Sequence, residues 1–536
     1  MSDPGYLRKD YRTANEPKVH PIVRRSYLFV PSAGMRLAPE ILVLEIMREV
    51  FLGQHYEESV TKAKNLDPDE FTEDGTYRFT DRERAILYAL RGRRKKTKSS
   101  ADQTFFAPAY PQLSEHGWFR KSSDRVVNNF LFSGPVAEFL FHGEKGSRDR
   151  EERERVLSIK VWKALLGENS CLDENLKEKD ILAATLQPES FKEIYKDPEN
   201  AVNNLGKMVR SRKGFLIGIT DDELSTCITN DLKAICDLEA NVPRMQWLQL
   251  LMTFLRFTLP MWLLAHMQLT QMVHHWLLEA IDEQKELPTT EMIYSCIARR
   301  NRGLLHPTLT PTRELFDHID RYMKCRVELD ILLYCLSEVR KDRFDLDNDN
   351  LKLNLDGGGK DKDRIGIEEL LLLTRESAHK IREMERFMKI SPGLNVQTFL
   401  TREGEQFSAW RNPRKAGQGK NIDEFFRVLY QSEVGDESGG YLLTPAGQGA
   451  KRGFVVFPGQ LLLKTMAYLS AKDKWSKDGN GGILVLQDVE DHFEKYGIDF
   501  SNAADARPKL MEQLQLMGLL KGSPDAGSSV AVEIPY

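Results

Sequence analysis

"LMEQLQLMGLLKGSPDAGSSVAVEIPY", Leu510 to Tyr536, closes the chain, and its hydrophobic pattern changes period partway along. Leu510, Leu514 and Met517 recur at i, i+4 and i+7, which sets them on one face of a helix, and Gly518 supplies its stop. Leu519 and Leu520 lead into the turn "SPDAG", beyond which Val530, Val532 and Ile534 alternate along a strand. The tail therefore predicts a helix followed by a two-stranded hairpin.

Two more helices precede it. "DVEDHFEKYG" places Val489, Phe493 and Tyr496 on one face, with Asp488 as a natural N-cap and Gly497 as the stop. "GQLLLKTMAYLSAK" begins just after Pro458 and aligns Leu462, Met466 and Leu469. Three helices followed by a hairpin is the order of a winged helix, so residues 458–536 are expected to form a winged-helix-like domain. A third helix that reads DNA offers Arg, Lys, Asn or Gln side chains to the major groove. Here the candidates are Arg507, Lys509, Gln513 and Gln515, but Glu512 lies among them and the hairpin carries Asp525 and Glu533 with no Arg. That makes a weak groove reader, and protein contact stands slightly ahead of DNA contact.

At 536 residues the chain exceeds a single core, which stops growing at roughly 250 to 300 residues, so several domains are expected. The 76 basic and 80 acidic residues leave a net charge of -4, which argues against general affinity for polyanions while allowing a local basic face. Six separated cysteines with no C-x-x-C pair suggest reduced thiols and no metal site. The polar N-terminus lacks the apolar core of a secretory signal, and the chain reads as cytoplasmic. Trp247 to Ala280 is strongly apolar, yet Arg256, Pro260, His266 and three glutamines interrupt it. It reads as a buried core helix, kinked or broken near Pro260, and not as a membrane span.

Around these landmarks the chain divides into an N-terminal helical unit with a basic loop (1–110), a mixed helical unit (111–240) and a helical core unit (241–340). An Asp-, Asn-, Gly- and Lys-rich linker (341–365) and a helix with a short hairpin (366–457) lead to the C-terminal unit. "YLLTPAGQGAKRGFVVF" supplies that hairpin, as two strands around a Gly-rich turn. The fold class is mainly α with minor β. In the linker, Asp345, Asp347 and Asp349 have the 1, 3, 5 spacing of a calcium loop, but Asn350 and Asp356 stand where Gly and Glu are required. Two basic runs are candidate phosphate contacts: Arg91, Arg93, Arg94, Lys95, Lys96 and Lys98, and Arg411, Arg414, Lys415 and Lys420 beside Trp410. For each, solvated surface is the stronger reading.

One constellation carries possible chemistry. Arg300, Asn301 and His306 have the R-N-x(4)-H spacing that resembles HEPN ribonucleases, in which the His serves as acid or base and the Arg stabilises phosphorane charge. The structural alternative is a helix ending at His306 and Pro307 with a basic last turn. Phosphate-loop, H-E-x-x-H and G-x-S-x-G motifs are missing, and no cofactor is expected.

The segments "GGYLL" and "GFVVFPGQLLLKTMAYL", with "LQLMGLLKGSPDAGSSV" after them, resemble DptG-type accessory subunits of phosphorothioation-dependent DNA restriction, an anti-phage defence system. The resemblance covers about the last hundred residues. It implies a non-catalytic adaptor that works on DNA with a separate ATPase or nuclease subunit. That is the first functional expectation, with a HEPN-like ribonuclease second and a stand-alone winged-helix regulator third.

Overall fold

The computed structural model describes Glu16, Pro17, His20, Thr289, Met292 and Ser295, and the stretches 223–282, 301–339, 396–431 without 416, 439–447, 452–478, 482–521 without 502, and 529–536. The expected N-terminal helices, the linker and the amphipathic helix after it lie outside the described residues. Of the described part, 66% is helical and the strands are short, so the protein is mainly α.

The centre is helix α2 (Arg244–Asp282), 39 residues that follow α1 (Glu223–Leu238). From Thr253 to Met267 every residue is buried, on all faces of four successive turns. A helix apolar all round has to be covered all round, and α1 and the helices described below wrap it. One consequence corrects the sequence expectation: the helix runs through Pro260 without a break. An interior proline costs about 3 kcal/mol, roughly what burying one or two large apolar side chains regains. The helix passes the length and composition test for a membrane span, yet 94% of its most apolar window is buried inside the protein.

Arg256 is the one cation in that buried run. Its Nε donates to the Val428 carbonyl at 2.5 Å and its terminal nitrogen to that of Tyr430 at 2.6 Å, so a buried charge closes a turn 172 residues away.

Helix α3 (Glu314–Val339) lies along α2, and α4 (Val396–Gly404), α5 (Ser408–Arg411) and α6 (Gly417–Phe426) pack on α3. The polar stretch 401–421, which reads as a loop by composition, is thus largely helical. Buried Glu328 on α3 gathers this region: it pairs with His274 Nε2 of α2 at 3.0 Å and accepts from Trp410 Nε1 at 3.2 Å and Gln397 Nε2 at 3.1 Å.

A three-stranded antiparallel sheet has the order β1 (Thr308–Thr312), β3 (Gly453–Val456), β2 (Leu443–Ala446). The β2–β3 hairpin is the one the alternating pattern predicts. Strand β1 is new: residues 241–340 read as almost wholly helical, and "TLTPT" with its Pro311 offered no apolar alternation. The sheet ties residues of the 241–340 segment to those of 366–457, and one continuous core runs from Leu224 to Val532.

Helix α7 (Gln460–Asp478), α8 (Leu486–Glu494) and α9 (Ala506–Leu516) follow, then the hairpin β4 (Leu520–Lys521) and β5 (Ala531–Val532). Val485, between α7 and α8, bridges to Ala531, with Leu486 N–H donating to the Val530 carbonyl and Val532 N–H to that of Leu484. Asp488 is not the N-cap of α8 but sits one turn inside it. Its carboxylate accepts from the Val485 N–H at 2.8 Å and from Lys474 Nζ at 2.7 Å, which serves the same unsatisfied amide end. Gly497 (φ +89) is required twice over: its backbone is left-handed, and a Cβ would strike the Asn301 carbonyl.

Replacing Arg256 with Ala strands the Val428 and Tyr430 carbonyls in the core, and a loss of about 3 kcal/mol is expected from urea unfolding. A loss under about 1 kcal/mol would show that water reaches this turn.

The His274–Glu328 pair predicts a pH dependence. Burial pulls the His274 imidazole down, but contacts with Cys325 and Glu328 outweigh it and lift it to about 9. The folded protein holds this proton more tightly than the unfolded chain. The contribution is therefore complete below pH 6.5 and is lost as pH rises through about 9. For Glu328, burial raises the carboxyl but hydrogen bonds and the charge of His274 hold it below 4.5, so its share is lost on acidification. The urea midpoint of His274→Leu should therefore lie further below wild type at pH 6.5 than above pH 9. Equal gaps at the two pH values would contradict the pairing.

Candidate docking site on the third helix of the C-terminal unit

Helix α9 is anchored by Leu510 and Leu514, both fully buried, which fixes the opposite face outward. That outward face is less charged than its sequence suggests. Arg507 makes a two-pronged contact with Glu490 of α8, Nε to Oε1 at 2.7 Å and the terminal nitrogen to Oε2 at 2.5 Å, with Glu490 only 3% exposed. Lys509 pairs with Glu512 at 3.0 Å, and Gln513 accepts from Gln460 of α7 at 3.3 Å. Both cations of α9 are thus held by carboxylates of the same unit. In the hairpin, Lys521 pairs with Glu533 at 2.8 Å.

Beside α9 opens a cavity of about 720 Å³ between the helix, the preceding turn and β4. Phe500, Ala503, Pro508, Met511 and Leu520 supply its apolar lining, and Glu512 stands among its polar residues. On the same helix Leu516 is 69% exposed, among the largest exposures of an apolar side chain in the described residues. The pattern Leu510–Leu514–Met517 points to the buried stripe, and it hides Met511 and Leu516, which are apolar residues off that stripe. Those two off-stripe residues were the available signal.

The other sequence candidates disperse. Arg414 bonds Asp320 at 2.9 Å and lies 4.0 Å over the Phe316 ring. Lys420 pairs with Glu424 at 4.0 Å, while Arg411 and Lys415 are exposed. Trp410 is no stacking platform, because its indole N–H is on Glu328 and Lys324 Nζ covers its ring at 4.6 Å. The run Arg91, Arg93, Arg94, Lys95, Lys96 and Lys98 lies outside the described residues, as does Arg300.

Asn301 and His306 are each bonded to a neighbouring segment. Asn301 is 1% exposed and its amide donates to the Lys495 carbonyl, so it staples the segment just before β1 to the turn after α8. His306 is partly exposed, with Nδ1 2.6 Å from Glu314 Oε1 and Nε2 3.7 Å from Asp499 Oδ2. Hydrogen bonds from Ser501, aided by the His306 charge, hold the Asp499 carboxyl below its usual range. Leu304 and Leu305 N–H both donate to the Gly497 carbonyl, and His318 contacts the Leu304 carbonyl at 2.8 Å. The arrangement joins two segments, while Arg300, the third member of the set, lies outside the described residues.

One further cluster came from neither motif. Cys227 and Asp231 of α1 meet His492 of α8 and Tyr496 beyond it, all buried. Asp231 Oδ2 accepts from Tyr496 Oη at 2.5 Å, lies 2.9 Å from His492 Nε2 and 3.7 Å from Cys227 Sγ. Burial and the Asp231 charge push the Cys227 thiol and the Tyr496 hydroxyl well up.

No protein-family model, curated protein or solved structure matches the chain.

Replacing Arg507 with Ala leaves Glu490 buried and unpaired. A loss of roughly 2 kcal/mol is expected in thermal or urea unfolding, less than for a fully buried pair because Arg507 is partly hydrated. Unchanged stability would mean that Arg507 is free to serve a ligand.

Proposed function

We propose that this protein is a non-catalytic adaptor subunit of a multi-protein DNA-processing complex, of the kind used in anti-phage defence, and that its C-terminal unit grips a partner protein. The order helix, bridge residue Val485, two helices and hairpin supports reading residues 458–536 as a winged-helix-like domain. The observation that carries the functional reading is on α9: its two cations are engaged by Glu490 and Glu512, while an apolar groove lies alongside. Reading a duplex requires free donors and phosphate-neutralising cations. An apolar groove with a satisfied polar rim suits a protein surface instead. The resemblance to DptG-type accessory subunits points the same way, toward an ATPase or nuclease subunit as the partner.

The test uses the tagged full chain, isolated from its own cells together with whatever remains bound after a moderate-salt wash. With a stoichiometric ATPase or nuclease partner in hand, Met511→Glu should weaken that complex on the order of tenfold or more, and Lys509→Gln should leave it intact. A complex that tolerates Met511→Glu would remove the groove from the account. DNA retention lost in Lys509→Gln would favour the regulator reading.

A further inference from the structure

We propose that Cys227, Asp231 and His492 bind one divalent transition-metal ion of the zinc class, which clamps α1 to α8. The inference is independent of the adaptor reading.

The three ligand atoms lie within 4.8 Å of one another and come from residues at most 8% exposed. A tetrahedral zinc at its usual bond lengths to S, N and O spaces its ligand atoms roughly 3.3 to 3.8 Å apart, so small side-chain rotations suffice. Convergence is the second argument. Cys227, His492 and Tyr496 all aim at Asp231 Oδ2, yet one carboxylate oxygen has two lone pairs. A cation at the common point turns this crowding of donors into a ligand set.

Charge gives the third argument. With a neutral imidazole the cluster carries one buried negative charge, on Asp231, and the neighbouring Lys495 is held by Asp473 at 2.5 Å. A divalent ion with the Cys227 thiolate and the Asp231 carboxylate forms a unit of zero net charge. Binding at Nε2 releases the thiol proton to solvent and shifts the ring proton of His492 from Nε2 to Nδ1. Among the described residues Nδ1 makes no hydrogen bond, so the choice between the two forms is made at Nε2. Thiolate, imidazole and carboxylate together select zinc over magnesium or calcium. Tyr496 Oη, on the same carboxylate, fixes its orientation as an outer contact. With three protein ligands, a tetrahedral ion keeps its fourth position for a water molecule.

The experiment is elemental analysis of the full chain, expressed with a tag free of histidine in zinc-supplemented medium and dialysed. Near-stoichiometric zinc is expected in wild type and in Cys236→Ala. Cys227→Ser and His492→Gln should hold at least about tenfold less, and Tyr496→Phe should bind roughly 10- to 100-fold more weakly. Should the ligand variants fail to fold, wild type stripped and reloaded with cobalt decides alone. A thiolate-to-cobalt charge-transfer band supports the site. A metal-free wild type without that band overturns the proposal, as does zinc retained equally in folded Cys227→Ser.

Discussion

The architecture depends on the need to cover α2. A helix with four turns buried on every face cannot be stable alone or against a single neighbour, so α1, α3, α4 and α7 must all reach it. This demand outranks local preference: it carries the helix through Pro260 and draws the Arg256 guanidinium into the core. It also explains why segments far apart in sequence share one core. The C-terminal unit is seated on α2 through α7 and through Phe257, whose ring meets Phe493 and Tyr496.

A second theme is the use of buried carboxylates as hubs between helices. Glu328 joins α2, α3, α4 and α5; Glu490 joins α8 to α9; Asp231 joins α1 to α8; and Asp330 receives the backbone N–H of His20. Each hub absorbs donors or cations that composition alone suggests are available for ligands. Asp330 shows the cost of such burial, which pushes its carboxyl up to about 7 despite nearby Arg326.

Helices whose apolar residues keep a 3.6-residue period were legible, as were the stops at Gly497 and Gly518 and the β2–β3 hairpin. Each of these is set by neighbours within a few residues. Strand β1 was not, because "TLTPT" becomes a strand only when Phe454 and Val456 pair with it. The roles of Arg507 and Asn301 were hidden for a similar reason. Spacing in sequence shows which residue types are present, but Glu490 and the Lys495 carbonyl arrive from another helix and its following turn. The Asp231 cluster joins residues 261 positions apart, and its only local trace is an i, i+4 pair on each side.

In the proposed reading α9 presents a protein-binding groove and not a DNA-reading surface. Fluorescence anisotropy of the full chain with a short labelled duplex, across a salt series, tests it most directly. Weak binding is expected, with a salt slope that does not change when Lys509 and Gln513 are replaced. Tight binding at physiological salt, with a slope that falls by about one for the Lys509 substitution, would contradict it.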